Sequence, residues 1–184
     1  DTEVILAAYL KWGLSCLDRF QGMFAIALYD RDKEELYLIR DRVGKKPLYY
    51  WLEQGNIVFA SELKPLMEYP DFPRAIRKDV IGRYLYQQYI CEPDTIFQNV
   101  YKVEPGQVVC FHVKAEKPSE RVTDWKYWDI AQVHQVRAAD KVTSYGQAKE
   151  ELTSILKDAV AKRMIADVPL GTFLSGGYDS SLVT

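Results

Sequence analysis

Histidine and cysteine are scarce in this 184-residue chain, which holds two histidines, His112 and His134, and three cysteines, Cys16, Cys91 and Cys110. The cysteines are far apart and odd in number, which argues against a zinc-finger spacing and against a disulfide framework. They read as reduced thiols that serve as small core hydrophobes. Neither histidine has partners at the sequence spacing of a metal site or a catalytic triad, so each is assigned a core or surface role. Long apolar runs are missing as well. Nothing approaches the roughly 20 residues that span a bilayer, and no basic stretch followed by an apolar core marks a secretory signal. A net charge of -2 supplies no basic field for nucleic acid. The expectation is a cytoplasmic protein with neither a membrane nor a nucleic-acid partner, in which any bound anion is held by local groups.

What is present is ordinary globular composition, 48% hydrophobic and 27% charged residues, at a length that suits one domain and part of a second. Val4, Ile5, Ala8, Tyr9, Trp12 and Leu17 recur at helical spacing and predict an amphipathic helix over 3 to 17. Met23-Phe24-Ala25-Ile26-Ala27-Leu28-Tyr29, a charged turn and Leu36-Tyr37-Leu38-Ile39-Arg40 predict a hairpin. A second pair, at 48 to 52 and 57 to 61 around Gln54-Gly55-Asn56, completes a predicted four-stranded antiparallel meander. The near-continuous apolar character implies that at least one strand pair is covered on both faces.

A helix is expected over 79 to 89, with Asp79 as N-cap and Val80, Ile81, Tyr84 and Leu85 turned inward. Strands follow at 107 to 113 and 121 to 128 around the polar turn Lys114-Ala115-Glu116-Lys117-Pro118-Ser119-Glu120. The charged, weakly patterned segment 136 to 143 is the predicted boundary, dividing the chain into 1 to 135 and 136 to 184. Beyond it, Ser144-Tyr145-Gly146-Gln147 reads as a capping box. It opens a helix whose stripe is Ala148, Leu152, Ile155, Leu156, Ala159, Val160 and Met164. Thr172-Phe173-Leu174 then predicts a strand running into Ser175-Gly176-Gly177-Tyr178-Asp179-Ser180-Ser181 and a new helix. Helix, strand, loop and helix start form the opening of an α/β nucleotide domain.

That last loop carries the clearest chemistry. Two adjacent glycines let backbone amides approach an anion, and the first amides of a helix carry partial positive charge. The hydroxyls of Ser175, Ser180 and Ser181 can donate to phosphate oxygens, while the Asp179 carboxylate can hold a magnesium ion that meets the phosphates. The string is neither a Walker loop nor the dinucleotide G-x-G-x-x-G. Its plainer reading is a tight strand-to-helix turn. A second string, Arg40-Asp41-Arg42-Val43-Gly44-Lys45-Lys46-Pro47-Leu48-Tyr49-Tyr50, followed by Phe59-Ala60-Ser61-Glu62-Leu63-Lys64, taken on spacing alone is a charged loop turning into a strand.

The loop resembles the pyrophosphate-binding S-G-G-x-D-S-S of ATP pyrophosphatases. Phe20-Gln21-Gly22-Met23-Phe24-Ala25, the R-D-x-x-G-x-K-P-L-Y-Y string and F-A-S-E-L-K resemble the interior of a class II glutamine amidotransferase domain. In this order the strings are similar to glutamine-hydrolysing asparagine synthetases, across nearly the whole chain and most weakly over 112 to 145. The resemblance implies an α+β, antiparallel-sheet (Ntn-hydrolase-like) amidotransferase domain, followed by the start of an α/β, parallel-sheet ATP pyrophosphatase domain. It implies a ligase that converts aspartate to its adenylate with ATP and Mg2+ and amidates it with ammonia from glutamine; the assembly considered for it is a homodimer.

Under that resemblance Asp1, in Asp1-Thr2-Glu3-Val4-Ile5, contacts the α-amino group of glutamine. Phe173, Ser175, Gly176, Gly177, Asp179, Ser180 and Ser181 bind ATP, Phe173 against the adenine ring, and Asp179 holds the metal. The core-strand reading of Phe173 stays open beside this. Tyr178 stands where the family usually carries Leu, Val or Ile. The family's nucleophile is an N-terminal cysteine. Asp1 opens this sequence instead, so the expectation is a fragment cut at both ends, without a catalytic residue of its own and inactive alone. Two alternatives remain: a β-lactam synthetase or other ATP-dependent amidotransferase, and a non-catalytic nucleotide-binding module.

Overall fold

The computed structural model describes residues 1–53, 56–115 and 121–184. Two compact units emerge, Asp1–Val133 and His134–Thr184. In the first, α1 (Thr2–Trp12) is shorter than the apolar periodicity predicts. Gly13, at φ 59, breaks it, and the chain tightens into a 3-10 segment, Gly13–Arg19. The hairpin follows as β1 (Ala25–Asp30) and β2 (Glu35–Arg40), then β3 (Tyr49–Glu53) and β4 (Asn56–Ala60). Of the predicted turn at Gln54-Gly55-Asn56, positions 54 and 55 lie outside the described residues, as does 116 to 120 in the later polar turn.

The predicted meander is not what forms. β1 and β2 join β6 (Gln107–His112) and β7 (Val122–Lys126) in a four-stranded sheet of order β1-β2-β6-β7. β3 and β4 join β5 (Val100–Lys102) in a second sheet of order β4-β3-β5. All pairings are antiparallel. The separation has a visible cause. After β2 the chain enters the Arg40–Asp41 loop, and the side of β2 that a meander would offer to β3 is taken by β6.

Alternation along the strands builds four layers. On one face of the first sheet, Ile26, Leu28, Tyr37, Ile39, Val108 and Cys110 pack with Ala8, Cys16 and Leu17 under α1. On the other, Leu38, Val109 and Phe111 meet Leu48, Tyr50, Leu52 and Ile57 of the second sheet. Beyond that sheet, Trp51 and Val100 pack with Leu66 of α2 (Leu63–Met67), with Phe72 and with Phe97. The result is helix, sheet, sheet, helix. It explains why β2 and β6 read as unbroken apolar runs, since both of their faces are covered.

Helix α3 (Lys78–Gln87) forms close to its predicted span but with different ends and faces. Its N-cap is Arg77, whereas Asp79 sits inside the first turn and pairs with Arg77 at 2.6 Å. The carboxylate is drawn to a neighbouring guanidinium in place of free amides. Only Val80 of the predicted inward set is buried; Ile81, Tyr84 and Leu85 are exposed. Helix α4 (Ile130–Arg137) runs through the junction of the two units.

The second unit contains α5 (Tyr145–Ala161) and α6 (Tyr178–Val183). Ser144 caps α5, its hydroxyl accepting the Gln147 amide at 3.5 Å, which is one half of the predicted capping box, whereas the Gln147 side chain donates to Glu151 at 2.8 Å and not back to Ser144. The predicted apolar stripe is only partly covered, with Leu152, Ile155 and Met164 exposed and Leu156, Ala159 and Val160 half-buried. Thr172-Phe173-Leu174 is not a strand. A parallel strand needs a neighbour to complete its ladder, and the described residues of this unit offer none.

Candidate functional site

The glycine loop keeps the local geometry that its residues dictate. Gly176 adopts φ 82, in the left-handed region that favours glycine, and a Cβ built there would meet nothing within 4 Å. Gly177 is the N-cap of α6 and has no side-chain bond to the free amides. Its carbonyl accepts the Ser181 amide at 3.1 Å and the Ser180 hydroxyl at 3.1 Å. The Ser175 and Ser180 hydroxyls stand 3.0 Å apart, so the bend brings them to the same side. Asp179 lies in the first turn. Residues 175 to 179 and Ser181 are exposed, Ser180 is half-buried, and Phe173 is 99% exposed. The core-strand reading of Phe173 is therefore overturned in this unit.

Asp1 is the N-cap residue of α1, with its carbonyl accepting the Ile5 amide at 3.1 Å and its side chain making no cap bond. The helix it opens flanks a groove of about 280 Å3 lined by Thr2, Ile5 and Leu6 and by β1. Asp1 and the glycine loop belong to different units.

The R-D-x-x-G-x-K-P string forms a loop tied down by buried side chains. The Asp41 side chain is fully buried and accepts four backbone amides: Phe24 at 3.2, Val43 at 3.2, Lys45 at 2.9 and Lys46 at 2.9 Å. Arg40, also buried, donates to the carbonyls of Lys46 (2.9 Å), Gly44 (2.8 Å) and Val103 (2.7 Å) and pairs with Glu92 at 3.3 Å. Neighbouring side chains of opposite charge thus satisfy opposite ends of the same turn. Gly44 is required at its centre, because φ is +64 and a Cβ would come within 2.8 Å of Pro105 and 3.0 Å of the Arg40 guanidinium carbon. Tyr127 closes the arrangement by donating to the Arg40 carbonyl at 3.0 Å. Burial pushes its phenol up to about 12.

One grouping escaped the sequence reading. His112 does have partners: Nδ1 lies 3.1 Å from Glu35 Oε1, and Nε2 lies 3.2 Å from Thr123 Oγ1 and 3.9 Å from Cys110 Sγ. The signal available in sequence was Cys110 and His112 two apart on one strand, hence on one face. Their partner Glu35 comes from a strand more than 70 residues earlier, where spacing carries no information.

Residues 1–128 match the glutamine amidotransferase domain family, and 151–184 match the asparagine synthase family. The chain belongs to the glutamine amidotransferase family. Its antiparallel sheets, flanked by helices, are consistent with an Ntn-type fold. A Methanocaldococcus jannaschii relative named for glutamine-hydrolysing asparagine synthetase is 35% identical over 185 residues, covering 100% of this chain and 34% of its own length. Asparagine synthetase [glutamine-hydrolyzing] 3 of Bacillus subtilis is 31% identical, covering 100% of this chain and 28% of its own. Amidase chry2 of Gibberella zeae is 34% identical, with 100% and 26% covered. The amidotransferase chain thus spans about a third or less of these relatives. Among the described residues, no helix is long and apolar enough to cross a membrane.

Proposed function

We propose that this chain is part of a glutamine-dependent asparagine synthetase, joining the amidotransferase domain (1 to 135) to the start of an α/β ATP pyrophosphatase domain (136 to 184). The observation that carries the reading is order: the two family matches, 1–128 and 151–184, follow each other in one chain. Glutamine, aspartate and ATP are the small-molecule partners of the whole protein, in the cytoplasm, and light scattering checks the homodimer. Asp1 receives the α-amino group of glutamine, a cation suited to a carboxylate.

ATP lies on the glycine loop, with Phe173 against adenine. Amides and hydroxyls of Ser175, Gly176, Gly177, Ser180 and Ser181 face the phosphates, and Asp179 holds Mg2+. The donor set fits such a group: open space at Gly176, two hydroxyls 3.0 Å apart, and a carboxylate that needs a cation to meet a phosphate. Carboxylates are poor electrophiles. ATP would supply the leaving group that makes aspartate reactive toward ammonia, and Mg2+ held by Asp179 would supply positive charge beside the phosphates.

The test is Asp179→Ala in the full-length protein. A metal contact worth several kcal/mol in the transition state predicts aspartate-dependent pyrophosphate release reduced about 100- to 1,000-fold. Glutamine hydrolysis should stay at the parental rate. Undiminished pyrophosphate release rejects the assignment. A fungal relative carries the name amidase in place of asparagine synthetase, and in a second reading another carboxylate replaces aspartate. Pyrophosphate release that requires an acceptor other than aspartate selects it.

A further inference from the structure

Glu35, Cys110 and His112 come together because β2 and β6 are antiparallel, with Glu35 opposite His112 and Tyr37 opposite Cys110. Residues opposite one another in a ladder share a face, and so do residues two apart on a strand. One ligand atom from each of the three therefore lies within 4.8 Å of the others. None of them has a part in binding glutamine or ATP as proposed above. A thiol, an imidazole and a carboxylate that converge without a role in the reaction are a donor set for a metal ion.

We propose that Cys110, His112 and Glu35 form a binding site for a divalent cation of the zinc type. Sulfur, nitrogen and oxygen donors together suit a borderline-soft ion, where an all-oxygen set would suit magnesium or calcium. With metal bonds of about 2.3 Å to sulfur and about 2.0 Å to nitrogen, tetrahedral geometry places those two donors about 3.5 Å apart. Cys110 Sγ and His112 Nε2 stand at 3.9 Å, while Glu35 Oε1 meets the opposite ring nitrogen, Nδ1, at 3.1 Å, so closing the site requires the Glu35 carboxylate to leave Nδ1 and turn to the side of the ring that faces Cys110.

Access and support are graded across the cluster. Cys110 is 2% exposed at the closed end, while the side chains of His112 and Glu35 are 33% and 21% exposed at the mouth. The cation enters past the imidazole, and solvent supplies the fourth ligand. Tyr37 donates its phenol proton to the second oxygen of Glu35 and so orients that carboxylate, a support that metal sites commonly carry. On binding, the Cys110 S–H bond breaks, the proton leaves to solvent and the thiolate pair bonds the cation. The ion ties β2 to β6 and stabilises the first unit by mass action.

Cobalt(II) titrated into the metal-stripped full chain tests this directly. The expected result is a thiolate-to-cobalt charge-transfer band saturating at one equivalent and bleached by zinc. Cys110→Ser removes the band, and His112→Gln, at the solvent-exposed mouth, weakens binding about 10- to 100-fold. Cys16→Ser and Cys91→Ser leave both readouts unchanged. Because Cys110 lies in the core, circular dichroism checks its variant, and His112→Gln decides if that variant misfolds. The zinc-induced rise in Tm should vanish with either variant. The proposal is overturned by cobalt binding without the band, by a band that survives Cys110→Ser or is lost in Cys91→Ser, or by parental affinity in His112→Gln. Zinc bound without any of these dependences is an adventitious ion only.

Discussion

Asp41→Asn is the most informative single change in the amidotransferase unit, since it preserves shape and alters hydrogen-bond polarity alone. Each carboxylate oxygen of Asp41 accepts two backbone amides: Oδ1 those of Val43 and Lys45, Oδ2 those of Phe24 and Lys46. In asparagine one of these positions becomes an amide donor facing two N–H groups. Two charge-assisted bonds are lost, at about 1.5–3 kcal/mol each, and the site has no exposure through which water could replace them. The expected loss is therefore about 3–6 kcal/mol, a large share of the roughly 5–15 kcal/mol that a domain possesses.

All four tryptophans, Trp12, Trp51, Trp125 and Trp128, lie in Asp1–Val133, so their fluorescence reports this unit without the second. With a urea slope of about 2 kcal/mol per molar, the midpoint should fall by about 1.5–3 M. Asp32→Asn, at an exposed turn, should stay within about 0.5 kcal/mol of the parent. A shift below about 0.5 M for Asp41→Asn would refute the claim that this carboxylate organises the loop.

Gly106→Ala places a Cβ 2.2 Å from the Trp128 carbonyl oxygen at φ +67 and should cost more than about 4 kcal/mol, read as loss of soluble folded protein. Gly13→Ala has a similar φ of +59 but nothing within 4 Å, so its cost should be the backbone cost of about 1–2 kcal/mol, measured by thermal melting. Alkaline destabilisation is also expected. Burial raises the Cys110 thiol to about 11 and the Tyr50 and Tyr127 phenols to about 12. The unfolded chain releases these protons first, so stability is intact below about pH 9, declines as pH rises and is lost through 11 and 12, as urea titrations with chelator present should record. A stability curve flat from pH 8 to about 11 would contradict the burial of these groups.

Local structure was legible where one segment decides it. The β1–β2 hairpin, the Ser144 cap and the bend at Gly176–Gly177 each follow from residues within a few positions, and each forms. What the pattern could not supply was partnership. Apolar alternation in β3 and β4 states that two faces are covered but not by what, so a continuous meander and two stacked sheets read alike. The choice falls to a distant strand, since β6 occupies the side of β2 that a meander leaves for β3, while Arg40 and Asp41 hold the loop between the hairpins. The sequence marked that loop as charged and turning, without revealing that both charges are buried.

The same limit governs α3 and the segment 172 to 174. Helical periodicity in Ile81, Tyr84 and Leu85 proposes an inward face, yet burial requires an opposing surface, and among the described residues only Val80 meets one. Thr172-Phe173-Leu174 has strand composition without a ladder partner, so its backbone remains irregular. Family strings survive this difficulty because glycine bends and capping hydroxyls act through their own backbone. Clusters such as Glu35, Cys110 and His112 do not, because cross-strand register determines them and register is set by the turn, the bulk of neighbouring side chains and the packing of both sheets. The readable part of the site is therefore the geometry of the glycine loop, and the unread part is whatever two distant strands bring face to face.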